Sequence, residues 1–282
     1  MHEWPLLIFT ITMQAAIGGI FMLWFFQLRN RNKETLNMFH LFKIPLIVIA
    51  LLSLVGLGAS FAHLGSPMNA MNTLRNIGSS WMSREILVTG LFIGLACVNA
   101  AWALYRKKIS SWLLLVATLV GFVDVYCMAA IYSNSLIGPW NSIHTFLSFY
   151  GTTFILGAVL AVALLIPTLY KQKMELEAKQ FLKIALITVL VGIGFHAIGI
   201  ALFPATMVET SIIESTATAG VLSSYQGMIA SRWVISVLGI ALLGYLVLSS
   251  NKKYLVNLSF IALLIFVMSE GMSRYVFYVL GA

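Results

Sequence analysis

The chain has 282 residues, of which 60% are hydrophobic and only 9% charged, and its mean hydropathy is +0.96. A domain that folds in water carries about 25% charged residues, so this composition excludes a soluble globular protein and makes lipid the solvent. The formal net charge of +8 does not indicate nucleic acid, because the basic residues sit in short clusters between apolar runs.

Eight apolar runs follow in order, at about 6–27, 43–62, 84–105, 111–132, 145–169, 180–203, 231–249 and 255–279. Each approaches or exceeds the ~20 residues a helix needs to cross hydrocarbon, and none alternates as a barrel strand would. The expected fold is all-α, a polytopic membrane protein whose eight transmembrane helices form a single integral membrane domain over residues 1–282. The opening MHEWPLLIF has no basic residue ahead of its apolar run, which predicts a retained first helix and not a cleaved signal.

Basic residues set the orientation. Arg29, Arg31, Lys33 and Lys43 flank the first connection, Arg106, Lys107 and Lys108 the third, Lys171, Lys173, Lys179 and Lys183 the fifth, and Lys252 and Lys253 the seventh. Of the 17 basic residues this leaves Arg75, Arg84, Arg232 and Arg274 for the other side, so both termini are expected to be non-cytoplasmic. The outward connections are then 61–84, nearly uncharged; 133–144, with Pro139 and Trp140; and 204–230, with Glu209 and Glu214. Long connections are uncommon unless they cover or bind something, and this face is expected to dock a partner. The Ser/Thr-rich run 209–224 reads as a loop with a short interfacial helix.

Cys97 and Cys127 lie within apolar runs and show no CxxC spacing, so they read as small hydrophobes and no metal site is expected in this protein. No internal duplication is legible: Arg84-Glu85 and Glu270 with Arg274 give a faint echo between the third and eighth runs, but the flanking residues do not match. Gly90 and Gly94 form a GxxxG, and Gly192, Gly194 and Gly199 share the sixth run; both patterns predict close helix packing. Trp4, Trp81, Trp140 and Trp233 fall near outer helix ends, as in an interfacial belt.

Ionisable groups near hydrocarbon are costly unless paired, and here they mark candidate sites. His63 ends the second run and Glu85 starts the third, on the same side. Imidazole and carboxylate are suitable acceptors for the hydroxyl protons of a quinol held in an apolar slot. The competing reading makes His63 a helix cap and pairs Glu85 with Arg84 or Arg75; in the functional reading those two arginines support the site. Glu270 and Arg274 are spaced i,i+4, which predicts a buried ion pair, either beside the site or locking helices together. Asp124, deep in the fourth run, is either a proton relay or an acid hydrogen-bonded to a neighbouring helix. His196, in the outer half of the sixth run, is an alternative ligand: with His63 it could hold one b-type haem. Arg232 starts the seventh run and reads as a headgroup anchor or partner contact.

The segments HEWPLLIFT at 2–10, HLGSPMNAMNTL at 63–74, SREI at 83–86 and EGMSRYVFY at 270–278 closely resemble the membrane anchor subunit of the anaerobic dimethyl sulfoxide reductase family, over essentially the whole sequence. The resemblance implies a location in the bacterial cytoplasmic (inner) membrane and an anchor for two partners, an iron-sulfur electron-transfer subunit and a molybdopterin catalytic subunit. It also implies menaquinol as the bound substrate, no haem in this protein, His63 in the quinol site and Glu85 close to it. His196 and Asp124 are not residues that the family pattern marks as essential. The expected role is to oxidise menaquinol and pass its electrons to the iron-sulfur subunit, supporting anaerobic respiration with dimethyl sulfoxide or a related acceptor. The protein would supply the quinol site of a quinol:acceptor oxidoreductase without holding the catalytic centre. A haem-containing quinol-oxidising anchor, a membrane transporter and a purely structural anchor are the alternatives.

Overall fold

The computed structural model of the protein describes residues 4–31, 37–63, 74–207, 212–249 and 252–281; for His63 and a few other residues beside the gaps it describes the backbone alone. Among the described residues run nine α-helices: α1 Trp4–Asn30, α2 Met38–His63, α3 Trp81–Arg106, α4 Ser111–Ser133, α5 Ile143–Lys171, α6 Glu175–Met207, α7 Ile212–Ser224, α8 Gln226–Leu248 and α9 Lys252–Val279. All except the short α7 are long and apolar enough to cross a membrane, so the eight expected spans are present as helices. A helix satisfies its own backbone, which is why uniformly apolar sequence in lipid adopts this form. Leu51, Val55, Leu91, Ile187, Val237 and Leu264 stay exposed on the outside of the helices, a surface suited to acyl chains and not to water. We call the end opposite the basic connections the outer end, after the orientation expected from the charge asymmetry.

Local signals set the helix ends. The Ser80 and Ser110 hydroxyls accept the backbone N–H groups of Ser83 and Leu113, capping α3 and α4. Lys107 ends α3 in the left-handed region, at φ 52°, which lets the very short connection to α4 reverse direction.

The eight spans are arranged as two four-helix rings. In the first, α1 packs on α2, α2 on α3, α3 on α4 and α4 back on α1; in the second, α5, α6, α8 and α9 repeat that circuit in the same order. The rings join where α1 crosses α5, at Gly18 and Gly157, and these two glycines stand equally far from their helix starts, Trp4 and Ile143. At the outer end the Tyr132 hydroxyl of α4 donates to the Tyr278 hydroxyl of α9 at 3.2 Å. Tyr132 follows Asp124 at the same interval as Tyr278 follows Glu270, and both acids are fully buried. The rings thus repeat one circuit of helix contacts in the same order along the polypeptide, the pattern of a parallel internal repeat.

This corrects the expectation of no duplication. The echo between the third and eighth spans was the wrong pairing, since α4 and α9 are the equivalents. Apolar positions in lipid accept many side chains, so a repeated architecture leaves few repeated letters. The expected close packing holds for some glycines and not for others. A β-carbon on Gly192 or Gly199 would meet neighbouring atoms within 3 Å, as expected, whereas one on Gly90, Gly94 or Gly194 would meet open space; Gly18, Gly151 and Gly157 are further close approaches.

Candidate functional site

Each ring buries one acid toward the outer end, and the two acids have different company. In the first ring, Glu85 lies half-buried in the first turns of α3, and Thr89, one turn further in, shares its face. The Thr89 hydroxyl donates to Asp124 Oδ1 at 2.7 Å, while Asp124 Oδ2 has no hydrogen-bond partner among the described residues. Glu85 is near enough to interact electrostatically with Asp124. Glu85, Thr89 and Asp124 therefore form a polar line leading inward from the outer end. Helix α2 packs on α3 and ends at His63, which brings that residue's backbone to the end of the ring that holds Glu85. The His63 side chain and residues 64–73 of the HLGSP loop lie outside the described residues.

The flanking arginines do not hold Glu85. Arg84 donates from Nε to the Ile77 carbonyl at 2.8 Å and from Nη2 to the Gly78 carbonyl at 2.7 Å, and its guanidinium lies 4.3 Å from the centre of the Trp81 ring. It braces the entry to α3. Arg75 sits in the short 3-10 turn Leu74–Asn76 and is exposed.

In the second ring Glu270 is enclosed. Its Oε2 accepts from the Thr152 hydroxyl at 2.6 Å and lies 3.0 Å from His196 Nε2, and its Oε1 is 3.9 Å from Arg232 Nη2. The i,i+4 pair expected with Arg274 is not the contact made. Arg274 Nη2 instead donates to Gln14 Oε1 of α1 at 3.0 Å, and its guanidinium stacks 3.7 Å from the centre of the Phe149 ring. A long side chain on that face reaches past its own helix, and an aromatic face with an amide oxygen offers it a better seat.

His196 belongs to this cluster. Its Nε2 is engaged by Glu270, and a β-carbon on Gly151 would lie 3.1 Å from that nitrogen, so the ring is pressed against the α5 backbone. No group of three or more metal-ligating side chains occurs among the described residues. Cys127 is buried and Cys97 half-buried, both free.

Beside Arg232 opens a cavity of about 230 Å³ lined also by His144, Ser148, Phe203, Met272 and Phe277 among others. An adjoining groove of about 460 Å³ runs past Trp4, Leu7, Tyr225, Met268 and Tyr275, and the two share Met228 and Met272. The sequence reading missed the roles of Thr89, Thr152 and Gln14, and it gave Arg232 to the surface although only 7% of it is exposed. The usable signal was a hydroxyl or amide within each apolar run, together with the repeated acid-to-tyrosine interval.

The family described as DMSO reductase anchor subunit (DmsC) matches residues 1–280. The C subunit of the anaerobic dimethyl sulfoxide reductase of Haemophilus influenzae is 30% identical over 286 residues, covering 99% of this sequence and 94% of that protein. Two Escherichia coli K12 proteins of anaerobic dimethyl sulfoxide reductase, YnfH and the C subunit, are 32% and 31% identical over 172 and 170 residues, 58% of this sequence and 58% of theirs. No solved structure matches.

Proposed function

The protein belongs to the DMSO reductase anchor subunit family, multi-pass proteins of the bacterial inner membrane, and from that premise we propose that it binds and oxidises menaquinol at its outer end. The electrons pass to a docked iron-sulfur subunit, and a molybdopterin subunit uses them to reduce dimethyl sulfoxide or a related acceptor. The observation that carries this reading is the polar line Glu85–Thr89–Asp124, which starts beside the end of α2.

Oxidising a quinol removes two electrons and two protons, and each hydroxyl needs an acceptor before its electron becomes easy to remove. Glu85 and His63 receive those protons in this scheme. Asp124 tunes the first carboxylate through Thr89 and offers a second place for a proton. The protons leave to the aqueous face at the same end, so none crosses the membrane. Arg84 contributes by fixing the segment that leads into α3.

The test uses the complex of this protein with its two partner subunits in lipid. His63→Gln should slow turnover driven by a menaquinol analogue while leaving assembly and dye-driven acceptor reduction intact. Unchanged quinol-driven turnover would remove the assignment.

A further inference from the structure

The second ring carries a charge that no acid among the described residues balances. Arg232 and Arg274 are both at least nine-tenths buried, Glu270 is the acid beside them, and His196 and His144 add either nothing or further positive charge. Among the described residues the group is therefore at least one negative charge short in any protonation state of its histidines. Arg232 lines the cavity, and its Nε and Nη2 have no hydrogen-bond partner among the described residues; 3.9 Å to Glu270 is a charge contact too long for a hydrogen bond. An unbalanced guanidinium buried in protein is costly, so this arrangement calls for an anion in the cavity.

We propose that the second-ring cavity binds an anionic phospholipid, with its phosphate on Arg232 and an acyl chain along the adjoining groove. The depth fits: Arg232 is near the start of α8, His144 and Ser148 near the start of α5, and Phe277 near the end of α9, the level at which lipid headgroups meet helix ends. The chemistry fits as well. A planar guanidinium presents paired N–H donors to a phosphate, Ser148 and Ser273 add hydroxyls, and apart from His144 the remaining wall is Met, Phe, Ile, Leu and Val. The groove continues this apolar wall between α1 and α9, with Trp4 and Tyr275 at its rim. A neutral quinol would fill the same volume but leave the charge unbalanced. The equivalent acid of the first ring, Asp124, has Thr89 and Glu85 as its neighbours in place of arginines, so the shared framework holds an acidic set in one ring and a cationic set in the other. The proposal does not rest on where the quinol is oxidised.

The experiment is native mass spectrometry of the full-length protein, delipidated in detergent and titrated separately with phosphatidylglycerol, phosphatidylcholine and inorganic phosphate, with a menaquinone analogue as competitor. Phosphatidylglycerol should bind about tenfold more tightly than phosphatidylcholine, the scale expected of one charge-assisted contact. Arg232→Gln should abolish that preference, and Leu222→Trp, which narrows the cavity and leaves the charges in place, should weaken both lipids. Equal binding of the two lipids to the unaltered protein, a comparison that needs no variant to fold, overturns the proposal. So do an unchanged preference in Arg232→Gln, inorganic phosphate that alone displaces the lipid, and displacement of phosphatidylglycerol by the quinone analogue.

Discussion

Gly18 of α1 and Gly157 of α5 meet backbone to backbone at the centre of the molecule, and a β-carbon on Gly18 would lie 2.7 Å from the Gly157 Cα. Backbone cannot swing aside as a side-chain tip can, so any larger residue must push the two rings apart. Gly157→Val is expected to destabilise the protein by at least about 1–3 kcal/mol. Gly94→Ala, which meets nothing within 4 Å, should not destabilise and should gain up to about 1 kcal/mol from the better helix propensity of alanine. Thermal unfolding in detergent compares the two, and equal midpoints would show that the crossing does not hold the rings together.

Glu270 is fully enclosed by three partners. Glu270→Ala strands Arg232 and His196 in a buried site, and a loss of about 3–5 kcal/mol is expected. Thr152→Val removes one hydrogen bond to a charged oxygen and should cost about 1.5–3 kcal/mol. Denaturation midpoints in SDS give both values. A Glu270→Ala midpoint at or above that of the unaltered protein would mean that this cluster contributes nothing to stability.

The acidic line of the first ring is expected to set the rate of quinol oxidation. Glu85→Gln should lower quinol-driven turnover by about 10²-fold or more, the usual contribution of a positioned proton acceptor. Asp124→Asn and Thr89→Val act through Glu85, and their losses should be smaller and similar to each other. Dye-driven reduction in the same preparations should not change. Asp124→Asn without effect beside an intact Thr89→Val defect would break the link between them.

A visible spectrum of the dithionite-reduced protein should show no haem bands, because His196 Nε2 is occupied and its ring abuts Gly151. His196→Gln should leave the spectrum unchanged. Bands that vanish in this variant would restore the haem-ligand role.

Orientation is open to direct measurement. Leu136, in the connection between α4 and α5, is fully exposed at 100%, and Lys108 lies in the connection at the opposite end. With Cys97 and Cys127 replaced, a cysteine at 136 should react in intact cells with an impermeant maleimide, and one at 108 should not. The reverse pattern would place the candidate site on the cytoplasmic side.

The solvent, the number and type of spans and the expected orientation were legible in the amino-acid order, because hydropathy, run length and the placement of lysine and arginine are local properties summed along the polypeptide. It also brought His63 and Glu85 toward one end, since the connection joining their helices is itself local. Which acid meets which partner was decided only by the tertiary structure. Thr152, His196 and Arg232 reach Glu270 from three other helices, and Arg274 passes over its nearest acid to reach Gln14 and Phe149. Such contacts depend on which helix faces lie inward once eight cylinders pack, and a run that is apolar on every side carries no stripe to reveal that face. The repeated circuit was hidden for the same reason: its two halves meet at two glycines and two tyrosines whose letters mean little until their helices cross.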